Sequence, residues 1–205
     1  MFTKGQKTYL FFKRALDILG AFLAITLLSW LILLLMILVK VTSKGPIFLA
    51  QKRFGKDQKF FTILKFRTMR FDAPKDVPTH LMENPDQYIT GFGKFLRKTS
   101  LDELPQLFNI FVGHMSFIGP RPALWNQDDL IAAREEVHAN CVRPGLSGLA
   151  QVHGRDLNSI EQKAILDGVY VAKLSFLLDV KIFFRTFYVA LAGKDIAEGN
   201  QSSKK

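Results

Sequence analysis

The chain has 205 residues, 48% of them hydrophobic, a net charge of +10 and a single cysteine, Cys141. That length suits one domain with attachments and a real core, and a lone cysteine excludes an internal disulfide and fits a reducing compartment. The charge is uneven: residues 1–70 hold 13 Lys and Arg against two acids, the remainder 15 against 16, so the basic excess coincides with the most apolar run and argues against a nucleic-acid partner.

That run is "ILGAFLAITLLSWLILLLMILV", residues 18–39, 22 positions without a charge. As a helix it would be about 33 Å long, enough to cross a bilayer core. It is too long for a signal peptide, and its apolar residues cover all faces, unlike a buried soluble helix. Lys4, Lys7, Lys13 and Arg14 precede it, and Lys40, Lys44, Lys52 and Arg53 follow it. The rule that basic flanks stay cytoplasmic therefore pulls on both ends, which favours a re-entrant segment. Re-entry needs a bend, and Gly20 and Ser29 are the only weak points, so spanning and re-entrant forms both stay open on physical grounds.

Residues 45–70 read as two strands joined at "GKDQ", a hairpin near the membrane surface with Lys65 and Arg67 at its exit. Residues 71–90, with three prolines, read as a mobile loop. In "RKTSLDELPQLFNI", residues 97–110, two acids adjoin, Asp102 and Glu103. Ser100 and Glu103 fit a capping box, and Asp102 fits an N-cap with Pro105 in the first turn; capping is the commoner use of such a pattern, chemistry the other. Either way a helix runs from here to Gly113.

Next, Arg121 sits between Pro120 and Pro122, whose fixed φ angles lower the entropy lost when a guanidinium grips a phosphate. Residues 126–141 read as an exposed acidic helical face, without His or Cys spacing for zinc. In "RPGLSGLAQVHGR" three glycines permit close backbone approach to a ligand, and Arg143 and Arg155 bracket them; a structural glycine turn fits equally well. Together with Arg121 they suggest a diphosphate site. Residues 160–192 read as helical, the Phe-rich second half suited either to a membrane interface or to a core, and 193–205 as a loose tail.

In this order, "KRALDILG", "KGPIFLAQKRFG", "FTILKFRTM", "TSLDELPQLFN", "MSFIGPRP", "RPGLSGLAQVHGR" and "LDVKI" resemble the bacterial sugar transferases, the monotopic polyprenyl-phosphate phosphoglycosyl transferases, over about residues 11–185. The resemblance implies a mainly helical α+β fold: a basic N-terminus and membrane helix over 1–44, a β-hairpin within a catalytic domain over 45–192 with interfacial amphipathic helices, and a flexible tail. It implies transfer of a phospho-sugar from a UDP-sugar to undecaprenyl phosphate with release of UMP, at the cytoplasmic face of the bacterial inner membrane, as an early step of exopolysaccharide, capsule, O-antigen or glycoprotein glycan synthesis. Some relatives carry a multi-span N-terminal extension, so this chain is expected to be the minimal catalytic form, with room for a homodimer among membrane lipids.

By the same resemblance Asp102 is the nucleophile and Glu103 helps hold Mg²⁺. Lys65, Arg67, Arg121, Arg143 and Arg155 are phosphate contacts, and Asp167 serves nucleotide or metal. Lys13, Arg14 and Asp17 match an N-terminal charge cluster whose members are expected to pair on one helix face. One departure stands out: the family commonly has Ser-Pro in the membrane element, and this chain has Ser29-Trp30. The flanking charges still favour re-entry, with a serine back-bond as the remaining source of a bend. Two other functions fit fewer of the features, a retaining glycosyl transferase releasing nucleoside diphosphate and a non-catalytic tether to anionic lipid.

Overall fold

This computed structural model describes residues 2–74, 82, 84–154 and 157–192, the last three by backbone alone. Arg155, the tail from 193 and residues 75–81 and 83 of the loop expected to be mobile lie outside the described residues. The described chain is mainly helical with two small sheets, as the α+β reading requires.

Helix α1 spans Lys4–Thr42, 39 residues. Thr3 and Gln6 close a capping box at its start, and it ends before Gly45, whose φ of +120° a side chain would strain. At 1.5 Å per residue it is about 58 Å long, and it is the one described helix long and apolar enough to cross a membrane. It runs without interruption through Ser29-Trp30. The weak point shows itself only as back-bonding, with Ser29 donating to the Thr26 carbonyl and Thr26 to that of Phe22.

One stripe of α1 is covered along its whole length. Ala21 lies at the centre of a cluster with Phe61, Ile63, Leu107, Ile110 and Met115. Ile32, Leu35 and Val39 pack with Phe66 and Leu96, each such aliphatic burial contributing about 1.5–3 kcal/mol. Gly20 permits the approach of Phe117, whose ring lies 3.0 Å from where a Cβ would stand. The opposite face leaves Phe11, Phe22, Leu27, Trp30 and Ile37 exposed, as are Phe184 and Phe187 of the last helix.

The hairpin is as expected: β1 (Phe48–Phe54) pairs antiparallel with β2 (Phe60–Phe66), Phe48 opposite Phe66. Helix α2 spans Gly91–Lys98, and after a 3-10 turn at Leu101–Glu103, α3 spans Gln106–Val112 and stops at Gly113, φ 104°. Asn109 fastens α3 beneath the hairpin, its amide donating to the Thr62 carbonyl at 2.7 Å and accepting from the Leu64 N–H at 3.0 Å.

Two three-residue strands, β3 (Ser116–Ile118) and β4 (Gly145–Ser147), pair in parallel. Here the glycines serve packing: a Cβ on Gly145 would lie 2.1 Å from the Gly119 nitrogen, and one on Gly148 2.1 Å from the Gly119 oxygen. The close approach expected for a ligand is taken up by backbone. Helix α4 (Asp128–Glu136) precedes β4, and α5 (Ile160–Ala172) and α6 (Phe176–Ala192) follow it. A third cluster, Ile118, Val142, Val152, Tyr170, Val171, Leu174 and Ile182, joins α5 and α6 to β3, and Leu130 and Ile131 of α4 pack with Ala123.

Candidate active site

Neither capping arrangement forms at the acid pair. Ser100 is left-handed at φ 56° and its side chain caps nothing; Asp102 and Glu103 sit inside the 3-10 turn, and Pro105 precedes α3. The two carboxylates therefore do no helix-capping work, and their surroundings differ.

Glu103 is gripped. Its Oε1 accepts from Lys65 Nζ of β2 at 2.6 Å and from Arg121 Nη2 at 3.1 Å, and its side chain is 14% exposed. Burial alone would raise this carboxyl, but Lys65 and Arg121 outweigh it and hold it well below the usual carboxylate range. Asp102, half-buried beside it, takes no hydrogen bond among the described residues. Burial raises its pKa, the pull of Lys65 opposes this, and the Glu103 charge adds to the rise. Adjacent acids pushed in opposite directions are the pattern expected when one must stay ionised as a structural charge and the other must be a reactive, poorly solvated oxygen.

The sequence reasoning overlooked three further cations at this site. Arg97 of α2 lowers Asp102 by its charge. Arg53 of β1 feels both Arg121 and Glu103, and bonds the Gln51 amide oxygen and the Pro122 carbonyl. Alternation along β1 puts Gln51 and Arg53 on one face, a signal that was there to find. Arg134 of α4 donates to the Arg121 carbonyl at 2.9 Å.

Lys65 and Arg121 thus join the acid pair, and the other expected contacts are placed elsewhere. Arg143 donates to the Gly113 carbonyl at 2.9 Å, beside Arg14, which donates to the carbonyls of Ile110 and Phe111 at 2.7 and 2.9 Å. Both arginines sit at the C-terminal end of α3, where a cation complements the helix dipole. Arg67 is buried near the end of α1, one N–H bonded to the Ser43 carbonyl. Asp167 is fully buried and paired with Arg134 at 2.6 Å through Oδ2, its Oδ1 without a hydrogen-bond partner among the described residues.

The N-terminal cluster does not make hydrogen bonds within itself. Lys13 pairs with Asp179, which also accepts from Tyr9 and Tyr170. Asp17 accepts from Ser116 Oγ and Phe117 N at 3.1 Å each. This face of α1 turns inward, so each charge finds its partner on β3, α3 or α6 rather than one turn away.

Magnesium fits a limited donor set here. No group of three metal-binding side chains occurs among the described residues, so only Asp102, Glu103 and a substrate's own oxygens would serve. Mg²⁺ commonly binds through one or two carboxylates plus substrate phosphates, and the bonds from Lys65 and Arg121 both end on the Oε1 oxygen of Glu103.

The profile of the bacterial sugar transferases matches residues 8–193. Similar proteins include a "UDP-glucose:undecaprenyl-phosphate glucose-1-phosphate transferase" of Klebsiella pneumoniae, 37% identical across 89% of this chain and 41% of its own length. The "Exopolysaccharide production protein ExoY" of Sinorhizobium fredii is 39% identical across 85% and 83%. The "Uncharacterized sugar transferase EpsL" of Bacillus subtilis is 37% identical across 92% and 91%. The chain thus spans less than half of the first of these and most of the other two.

Proposed function

The chain belongs to the bacterial sugar transferase family, and from that premise we propose that it transfers a phospho-sugar from a UDP-sugar to undecaprenyl phosphate, releasing UMP. The observation that carries this is the split acid pair: a gripped Glu103 beside an unbonded Asp102 of raised pKa, with Lys65, Arg97 and Arg121 as neighbouring cations. The names of the Klebsiella relative and of an Aeromonas hydrophila N-acetylgalactosaminephosphotransferase point to the same substrate classes.

In this reading an Asp102 oxygen attacks the sugar-bearing phosphorus. The bond from that phosphorus to the bridging oxygen breaks, UMP leaves with the electron pair, and an acyl-phosphate joins Asp102 to the sugar phosphate. A phosphate oxygen of undecaprenyl phosphate then attacks the same phosphorus, and Asp102 leaves as a free carboxylate. A carboxylate approaching a phosphoryl group meets like charge; Arg121, Arg53 and Lys65 offset that repulsion, and Lys65 and Arg121 fix Glu103 in place. Mg²⁺, which Glu103 would help hold against the diphosphate, would supply further charge neutralisation.

The catalytic body sits on the membrane without α1 crossing it. Both ends of α1 are tied to the same body, Tyr9 and Lys13 through Asp179 and Val39 through Phe66 and Leu96, which supports a seating with both ends on one face of the membrane, the cytoplasmic one in this reading. Reaction of a cysteine placed at Lys4 with an impermeant reagent outside intact cells would overturn this seating. For the chemistry, purified protein with undecaprenyl phosphate, Mg²⁺ and a panel of UDP-sugars should release UMP, and Asp102→Asn should abolish it. Release of UDP would mean a retaining glycosyl transferase, and no release of either a tether.

A further inference from the structure

Every carbonyl of the Pro120–Arg121–Pro122 loop is taken. Pro120 accepts from the Gly145 N–H at 2.8 Å, Arg121 from Arg134 Nη1 at 2.9 Å, and Pro122 from Arg53 Nη1 at 2.9 Å. The next carbonyl, Ala123, accepts from the Phe54 N–H at 3.0 Å. A segment with two prolines has few amides of its own, so its position depends on what grips its oxygens.

Arg134 is the unusual member. It is a guanidinium with 6% of its side chain exposed, in a helix whose neighbouring acids face solvent, and Asp167, 0% exposed, is its counter-charge. Nε and Nη2 both go to Asp167 Oδ2, at 2.9 and 2.6 Å, which leaves Nη1 for the Arg121 carbonyl. A buried ion pair contributes little net stability compared with apolar residues of the same volume, so stability alone gives little reason for one here. Its geometric effect is specific: the planar fork, oriented by Asp167 from α5, fixes the backbone of the residue whose side chain holds Glu103.

We propose that Arg134 and Asp167 are positioning residues for Arg121, a buried relay from α5 through α4 to the acid pair that sets where the Arg121 guanidinium stands relative to Glu103 and the reacting diphosphate. The proposal rests on the function put forward above. It reassigns Asp167 from substrate or metal binding to second-hand control of the site, and gives Arg134 a role that only its carbonyl contact reveals.

The separating variant is Arg134→Lys. An ammonium still neutralises Asp167, but a single point donor lacks the fork that reaches the Arg121 carbonyl as well. Two readouts are taken: UMP release against UDP-sugar concentration, and amide hydrogen exchange over residues 117–127. The relay requires faster exchange in that segment with α4 and α5 still protected, and a kcat about 100-fold lower, the scale of a misplaced catalytic group. It also requires non-additivity: in an Arg121→Gln background, Arg134→Lys should cost less than about twofold, since the group it positions is gone. Unchanged exchange, or an equal loss in the Arg121→Gln background, overturns the relay. Should Arg134→Lys fail to fold, Arg134→Met with Asp167→Leu removes both charges and is read the same way. If wild type releases no UMP with any sugar, the functional reading fails, while the exchange measurement still decides the relay.

Discussion

Replacing Lys65 by Met isolates the electrostatics of the site. Lys65 and Glu103 meet at 2.6 Å with 16% and 14% of their side chains exposed, so water screens them weakly. Removing one partner of a buried pair typically costs about 3–5 kcal/mol, because the other charge stays buried without compensation. Arg121, 39% exposed, remains on the same Glu103 oxygen at 3.1 Å, which places the expected loss at the lower end, about 3 kcal/mol. For a chain of this size that lowers Tm by about 6–12 °C. The companion Lys65→Met with Glu103→Leu should recover most of the loss, since an apolar pair of similar volume is often as stable as the ions it replaces. Thermal unfolding in detergent micelles, followed by circular dichroism at neutral pH, reads both. A single variant within about 2 °C of wild type, or a double variant no better than the single, would refute the view that Glu103 is a buried charge held by Lys65.

Asp102→Asn should abolish turnover yet raise Tm at neutral pH. The folded-state pKa of Asp102 lies above its ordinary 3.8, so between those values the folded state binds more protons and stability falls as pH rises. Above both, ionised Asp102 is a standing cost that Asn removes; a calorimetric pH series should show the gain vanish below about pH 3.8, the unfolded value. The same shift moves the acid limb of the kcat/KM profile, which reports the free enzyme, to higher pH than the ordinary 3.8, and a limb at or below 3.8 would contradict it. Asn109→Leu strands the Thr62 carbonyl and the Leu64 N–H under the hairpin; at about 1–3 kcal/mol for each unsatisfied group, unfolding should show a loss of about 2–6 kcal/mol. Gly145→Ala pushes a methyl into the Gly119 backbone and should cost about 3 kcal/mol or more, measured the same way.

What could be read in advance was local. The hairpin followed from alternation and a turn, the end of α3 from Gly113, and the apolar helix from its length. The acid pair was visible, but its meaning was not, because a capping box and a reactive site share the letters Ser-x-x-Glu; the left-handed Ser100 decides against the cap. The backbone partners of the arginines were not legible for a consistent reason. Arg143, Arg14, Arg53 and Arg134 all end on backbone carbonyls supplied by residues 13 to 97 positions away, and a carbonyl leaves no mark in a sequence. The glycines of 145–148 misled in the same way, since room for a ligand and room for another strand demand the same missing Cβ. Strands β3 and β4, three residues each, are too short to show a period.

The most direct test of the chemistry is mass analysis of the protein after incubation with its UDP-sugar and Mg²⁺ in the absence of any polyprenyl phosphate. A sugar-phosphate adduct on the peptide containing Asp102, discharged when undecaprenyl phosphate is added, is the expected result. UMP formed only when both substrates are present, with no adduct on Asp102, would mean direct transfer and would remove the covalent step from the mechanism.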